Sequence, residues 1–340
     1  MPVITGAFSS PELAKAVVDN SEQYAERFRQ AFLVALASLR GLEAVNKVIE
    51  NIDRGIAMIE KSDEITGMGD SVSDAIENVS VDPEAMLEAQ WESLISAGSV
   101  TADEVGLGIS FDITNPRAIQ AAQNIGIFLV TYVNDSVRAS IRNIIQDQVS
   151  GLIGRAEAHR LIKQRVGLLP NHALAVQNLE ASLMTSGMLS PALVANRVQA
   201  YAARLLKYRA DMISRTEVAR ATSVGQHEYW EQAADAGLLP PNTLRKWIVT
   251  RDERLCDICE PMTDSDPIPL DGYWALDNGE QVFYPTDSHP SCRCTTGLVF
   301  PDLLGKADPL GWERWIAIRP IQKHADHDQK SHGNWATGGQ

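Results

Sequence analysis

Four cysteines and a histidine lie close together towards the C-terminal end of the sequence. Cys256 and Cys259 have C-x-x-C spacing, and His289, Cys292 and Cys294 follow in the motif HPSCRC. A C-x-x-C turn places two thiolates within reach of one tetrahedral ion, and a pair of ligands from a second turn can complete the shell. All the cysteines of the chain belong to this group. They therefore predict a local metal site rather than a disulfide framework for the whole chain.

The second half of the site leaves two ligand sets open. Cys292 can be joined by Cys294 or by His289, and either pair gives four soft or borderline ligands suited to Zn²⁺. A closed shell of this kind is structural, since a catalytic zinc keeps an open position. The C-x-C spacing and the absence of an H-x-E motif argue against a deaminase site. The alternative is that the cysteines are buried small residues or form a local disulfide.

A second group of polar residues precedes the cysteines on a predicted helix. It includes Arg215, Glu217 and Arg220 in the motif SRTEVAR. Arg215 and Glu217 are two residues apart, so they point in different directions and are expected to reach separate partners. An Arg/Glu pair can be catalytic, but ion pairs that fix one domain geometry are the commoner explanation.

Most of the chain before the cysteines has the apolar periodicity of helices. Four helix starts are marked by a capping residue followed by proline: Ser10-Pro11, Asp82-Pro83, Asn115-Pro116 and Ser190-Pro191. The predicted helices run from Pro11 to about Lys61 with a break near Gly41, from Pro83, from Pro116 to about Ser150, from Leu152 to Val166 and from Pro191 to Ala236. Gly167 and Pro170 are interpreted as the residues that end the fourth of these helices. The last pattern allows one break near Asp211 to Ser214, and residues 62–81 are predicted to be a loop.

After the long helix the sequence changes character. Short β-favouring runs occur at Trp247-Ile248-Val249, Tyr273-Trp274 and Val282-Phe283-Tyr284, separated by Pro, Asp and Gly. The predicted fold class is therefore α+β, with a mostly helical N-terminal and central region and a small C-terminal α+β module that contains the cysteine knuckles. The predicted divisions are an acidic helical region (1–115), a basic helical region (116–189), the module with its preceding helix (190–300) and a partly disordered tail (301–340).

The charge distribution restricts the binding partners. The net charge of −14 is divided into −13 for residues 1–115, +7 for residues 116–220 and −8 for residues 221–340. An acidic chain with one basic segment is not a bulk nucleic-acid binder, because DNA affinity rests on many phosphate-neutralising cations. No signal peptide and no run long enough to span a membrane is predicted.

The ordered series SRTEVAR, Trp247, RDERLCDIC and HPSCRC resembles the Mu F-like head morphogenesis domain of tailed bacteriophages, the minor capsid family related to the SPP-type portal-associated head protein. The similarity covers about residues 190–300. The positions that match the family signature, besides the cysteines and His289, are Arg215, Thr216, Glu217, Arg220, Trp247, Asp252, Arg254, Pro290 and Arg293. The glycine that often follows the C-x-x-C segment in the family is displaced here.

The resemblance implies a protein without enzymatic activity that lies inside the phage head near the portal. Its expected partners are the portal protein and the major capsid protein, with packaged double-stranded DNA as a further candidate and no membrane. It would be in the host cytoplasm during assembly. The basic segment is then a hypothesis for contact with DNA or portal through Arg204, Lys207 and Arg209. The alternatives are a zinc-dependent nuclease, an ADP-ribosyltransferase-like effector, and a host zinc-ribbon interaction protein.

Overall fold

The structure is a computed structural model that describes residues 11–41, 50, 54, 82–149, 152–154, 156–158, 160, 161, 167–251 and 254–300. The predicted loop at residues 62–81, the predicted tail at residues 301–340 and the signature residue Asp252 lie outside the described residues. In the helix expected from Leu152 to Val166, residues 155, 159 and 162–166 also lie outside them, and residues 156–158, 160 and 161 are helical.

In the described part of the chain, five long helices precede the cysteine module. Their bounds are α1 (Pro11–Gly41), α2 (Glu84–Val105), α3 (Pro116–Val149), α4 (Pro170–Ser186) and α5 (Pro191–Asp235). The predicted starts at Pro11, Pro116 and Pro191 are confirmed, and Pro83 directly precedes α2. The caps have the expected chemistry, since Asn115 Oδ1 accepts from Arg117 N–H at 2.9 Å.

Helix α4 was not expected from the sequence. Pro170 was interpreted as a helix terminator, but it occupies the first turn of α4, where its missing N–H has no helical partner to lose. Helix α5 is continuous through Asp211 to Ser214, so the break that the sequence allowed there is absent. At 45 residues, α5 is about 67 Å long.

Helices α1 and α2 pack against α5 and share two apolar clusters with it. Phe28, Phe32 and Leu36 of α1 lie in the cluster around the first half of α5. The second half of α5 contributes Tyr229 and Trp230 to the other cluster, which also holds α2 and α3 residues. The N-terminal helices and α5 therefore share cores across the predicted boundary at residue 190.

Helices α2 and α5 approach each other closely at Gly225. A Cβ atom on this residue would lie 2.0 Å from the Leu94 carbonyl oxygen, so only glycine fits. One turn away, the Ser93 and Thr222 hydroxyls are hydrogen-bonded at 2.8 Å. This contact fixes the axial position of α5 relative to α2.

The module after α5 contains two small antiparallel sheets. The strands are β1 (Leu244–Ile248), β2 (Ile268–Pro269), β3 (Trp274–Ala275), β4 (Gln281–Val282) and β5 (Thr295–Val299). The order in the larger sheet is β2-β1-β5, and β3 pairs with β4. The predicted fold class, helical regions followed by a small α+β module with the cysteines, is confirmed. None of the described helices is long and apolar enough to cross a membrane.

Candidate metal centre

The cysteines and His289 converge on one place in the module. The ligand atoms of Cys256, Cys259 and His289 lie within 4.8 Å of one another, and so do the sulfur atoms of Cys259, Cys292 and Cys294. Cys259 belongs to both groups. It lies 3.1 Å from His289 Nε2 and 3.7 Å from Cys292 Sγ. These five residues can hold a metal ion.

The distance between two of the sulfur atoms fits a tetrahedral ion. Two thiolates that each lie ~2.3 Å from a tetrahedral Zn²⁺ are about 3.8 Å apart, close to the distance between Cys259 and Cys292. His289 Nε2 is also 3.2 Å from Cys256 Sγ, so it faces both thiols of the C-x-x-C turn. The donor set is therefore suited to a metal ion.

Local hydrogen bonds prepare both turns for binding. His289 Nδ1 lies 2.9 Å from the Pro290 carbonyl oxygen, which favours a proton on Nδ1 and leaves the Nε2 lone pair for a ligand role. In the C-x-x-C turn, the Cys259 N–H points to Cys256 Sγ at 3.4 Å. Backbone N–H donors of this kind stabilise the thiolate form.

The protons within the cluster are shared unequally. Hydrogen bonding from the Cys259 thiol lowers the pKa of Cys256 to about 4 and also lowers the pKa of Cys292. The same contacts raise the pKa of Cys259. Burial lowers the pKa of His289, but its hydrogen bonds to Cys256 and Cys292 outweigh burial and raise this pKa to about 10. A bound cation would replace the shared protons, since thiolate and neutral imidazole are the ligand forms.

The chain matches no family model, and comparisons with curated proteins and with solved structures return no match.

One face of α5 contacts the segment that contains His289, Cys292 and Cys294. The contacts come from four residues spaced by four, three and three positions, which places them on one side of a helix. They are Thr216 to Ser291 N–H, Arg220 to Asp287, Ser223 to Thr286, and Gln226 to Thr295 and Thr296. This row of residues, the α5 contact row, positions the loop from Thr286 to Thr296.

The ion pair in this row is partly buried. Arg220 Nε lies 3.0 Å from Asp287 Oδ1, and Asp287 Oδ2 accepts from the Tyr284 N–H at 3.2 Å. Asp287 thereby joins α5 to the turn immediately before His289. Arg220 thus has a structural partner that the sequence did not identify.

Arg215 and Glu217 occupy different surroundings, as their spacing predicted. Arg215 is exposed, whereas Glu217 is buried against Gln90 of α2, with Gln90 Nε2 3.4 Å from its carboxylate. Burial raises the pKa of Glu217, with a smaller opposing effect from Arg220.

The remaining signature residues surround the metal centre. Trp247 is buried in the same apolar cluster as Cys259, Cys292 and Cys294, and its ring meets Trp274 edge to face at 5.4 Å. Arg254 lies 3.7 Å from Glu22 of α1. The Arg293 carbonyl oxygen accepts from Thr250 Oγ1 at 2.5 Å.

Arg209 does not fit the predicted contact surface. Its side chain is fully buried, donates to the Gly167 carbonyl oxygen and lies over the Phe32 ring. Arg204 and Lys207 are exposed. The prediction that Arg209 contacts an outside partner is therefore wrong, because its guanidinium is enclosed between α1, α5 and residue 167.

Sequence analysis did not identify two buried polar residues, Arg245 of the module and Gln226 of α5. The guanidinium of Arg245 lies 4.1 Å from the Phe283 ring centroid and 4.9 Å from that of Trp274, and it donates to the Gly272 carbonyl at 2.7 Å. Gln226 accepts from Thr295 at 2.9 Å. A charged residue within a short β-favouring run was the available signal for Arg245, whereas nothing in the local sequence distinguishes Gln226.

Proposed function

We propose that this chain is a minor head-assembly protein of a tailed bacteriophage, in which a structural Zn²⁺ shapes a docking module. The observation that carries the proposal is the convergence of separated motifs at one place. Thr216 and Arg220 of SRTEVAR contact the segment that contains HPSCRC, and the C-x-x-C turn faces that segment across the metal centre. Because these motifs contact one another in the fold, their order in the sequence supports the resemblance to the Mu F-like family.

The proposed zinc ligands are Cys256, Cys259, His289 and Cys292. His289 is favoured over Cys294 because its Nε2 atom faces both thiols of the C-x-x-C turn. Cys294 then acts as a neighbouring thiol that interacts with Cys259 and Cys292, with its pKa raised. Four protein ligands fill the tetrahedral shell, so the ion stabilises the fold and has no open position for a substrate.

The proposed place of the protein is the head interior near the portal, with the host cytoplasm as the site of synthesis and assembly. The proposed partners are the portal and the major capsid protein, with packaged double-stranded DNA as a further contact. The surface proposed for these contacts is the exposed face of the first half of α5, with Arg204 and Lys207. These cations suit an acidic protein surface or phosphates.

The decisive experiment is mass spectrometry of purified heads produced with the gene present, together with affinity capture of the tagged chain during assembly. We expect the chain in heads and the portal protein among the captured partners. A chain absent from heads, or metal-dependent cleavage of DNA by the purified protein, would contradict the proposal.

A charge-reversal variant tests the proposed contact surface. Replacing Arg204 and Lys207 together with glutamate should weaken capture of the portal or DNA by at least about tenfold at low salt, since two attractive contacts become repulsive. The control replaces Arg204 with lysine and Lys207 with arginine, which keeps both charges. Unchanged capture by the glutamate variant would remove this face from the interface.

A further inference from the structure

A cleft lies where α1, α5 and the loop from Thr286 to Thr296 meet. This loop carries three of the candidate ligands and is called the metal-binding loop. Its open volume is about 450 Å³, including the space that opens to solvent. Val17 and Ser21 of α1 line one side, Arg215 and Thr222 of α5 line another, and the loop closes the third.

Arginine side chains approach the cleft from separate elements. Arg215 comes from α5 and Arg293 from the metal-binding loop, and both line the cleft. Arg254 reaches its rim through the ion pair with Glu22, which also lines the cleft, at 3.7 Å. The cleft is thus lined by two guanidinium groups and by one carboxylate, which is paired with a third guanidinium group. A guanidinium fork matches the oxygen atoms of phosphate and is favoured for phosphate recognition.

The interior of the cleft supplies hydroxyl groups. Hydroxyl side chains line it at Ser21, Thr222, Ser223, Thr286 and Thr295. The hydroxyls of Thr222, Thr286 and Thr295 are already hydrogen-bonded to Ser93, Ser223 and Gln226, so the donors offered to a ligand are those of Ser21 and Ser223. Ser223 Oγ accepts a hydrogen bond from Thr286 Oγ1 at 3.1 Å, so the Ser223 hydroxyl hydrogen remains available to a second acceptor. Hydroxyl donors beside guanidinium groups are a common environment for phosphate oxygens.

Glu22 occupies the position of an internal counterion. Its side chain is 53% exposed and that of Arg254 is 47% exposed, so the ion pair is weak and readily exchanged. A phosphate group that enters the cleft would compete with the Glu22 carboxylate for the same cations. The carboxylate should therefore reduce the affinity of the cleft for anions.

We propose that this cleft between α1, α5 and the metal-binding loop binds a phosphate group, with Arg215 and Arg293 as its cationic contacts and Glu22 as an internal competitor. The phosphate can come from a free anion or from a nucleic-acid backbone, because both present the same oxygen atoms. The site is separate from the Arg204 and Lys207 surface and is independent of the phage assignment.

Isothermal titration of the full-length zinc-loaded protein tests the site with two probes, inorganic phosphate and a short double-stranded DNA, each at low salt. Arg215→Gln and Arg293→Gln should each weaken binding by about tenfold, the usual effect of losing a charge-assisted contact. Glu22→Gln should strengthen it several-fold. Arg197→Gln, at an exposed position on the first half of α5, is the control and should leave phosphate binding unchanged.

The outcomes are distinguishable. Binding of both probes with opposite effects of Arg215→Gln and Glu22→Gln supports the site, and binding of DNA alone with the same pattern assigns the phosphate to a nucleic acid. No saturable binding of either probe overturns the proposal. Cys292 and Cys294 line the same cleft, so the guanidinium groups could serve only to offset the charge of these thiolates. In that case the arginine variants would lower the zinc content without a specific effect on phosphate binding, and this result also overturns the proposal. Zinc content and melting temperature are therefore measured for every variant.

Discussion

Thr216 accepts a hydrogen bond from the backbone N–H of Ser291 at 2.9 Å and thereby joins α5 to the metal-binding loop. Ser291 has φ of 58°, the only positive value for a non-glycine residue among the described part of the chain. An L residue in this conformation costs on the order of 1 kcal/mol. The contact from α5 therefore holds a strained turn between two candidate ligands, His289 and Cys292.

Replacing Thr216 with valine should lower the free energy of unfolding by about 1–2 kcal/mol, because the Ser291 N–H loses its acceptor. Zinc affinity should fall as well, since the turn between the ligands becomes less restrained. Urea denaturation of the zinc-loaded protein measures the first effect, and competition with a chromogenic chelator measures the second. Thr216→Ser keeps the hydroxyl and is the control; equal behaviour of the valine variant and the wild type would show that the contact has no structural role.

The zinc ligand set predicts different effects for neighbouring cysteines. Cys292→Ser and His289→Ala should each reduce the bound zinc well below one ion per chain, because they remove a ligand from the tetrahedral shell. Cys294→Ser should retain about one ion, with at most a modest loss of affinity. Metal analysis after dialysis against a weak chelator provides the measurement. Loss of zinc from Cys294→Ser with retention in His289→Ala would assign the fourth position to Cys294.

Gly225→Ala should destabilise the protein by about 3 kcal/mol or more, because the added Cβ would meet the Leu94 carbonyl oxygen at 2.0 Å and the α2 backbone must move. Thermal unfolding followed by circular dichroism measures this loss. The matched control is Gly154→Ala, where the space around the new Cβ is open within 4 Å. A similar melting temperature for both variants would mean that α2 and α5 can separate at little cost.

His227 predicts a pH dependence of stability. Burial, assisted by the positive charges of Arg245 and Arg117, lowers the pKa of His227 from 6.5 to about 3. A lowered folded-state pKa contributes stability that is present above pH 6.5 and is lost as the pH falls towards 3. Between pH 7.5 and pH 5 the wild type should lose about 2 kcal/mol more than His227→Gln, whose side chain does not titrate.

Urea titrations of both proteins at the two pH values, each with the same zinc concentration, isolate this contribution. Effects of acid on the metal ligands are common to the two proteins and cancel in the comparison. Equal losses in the wild type and the variant would show that His227 does not remain neutral and buried as the pH is lowered.

The sequence identified the local features that depend on residue type and short spacing. The helix starts at Pro11, Pro116 and Pro191 were predictable because capping residues and proline act within one turn. The C-x-x-C spacing identified Cys256 and Cys259 as candidate ligands because two thiols of one tight turn are held close by the backbone alone. Pro170 was misread because proline both ends helices and begins them, and only the packing that follows decides which.

The tertiary structure decided which distant groups meet. Thr216, Arg220, Ser223 and Gln226 share one face of α5, but their partners in residues 286–296 could be identified only from the folded chain. Arg204 and Arg209 look alike in the sequence, yet one is exposed and the other is enclosed beside Phe32. Periodicity shows which residues can share a helix face. Whether a residue on that face is buried, and which residue it contacts, depends on the elements that pack against the face, and these come from distant parts of the sequence.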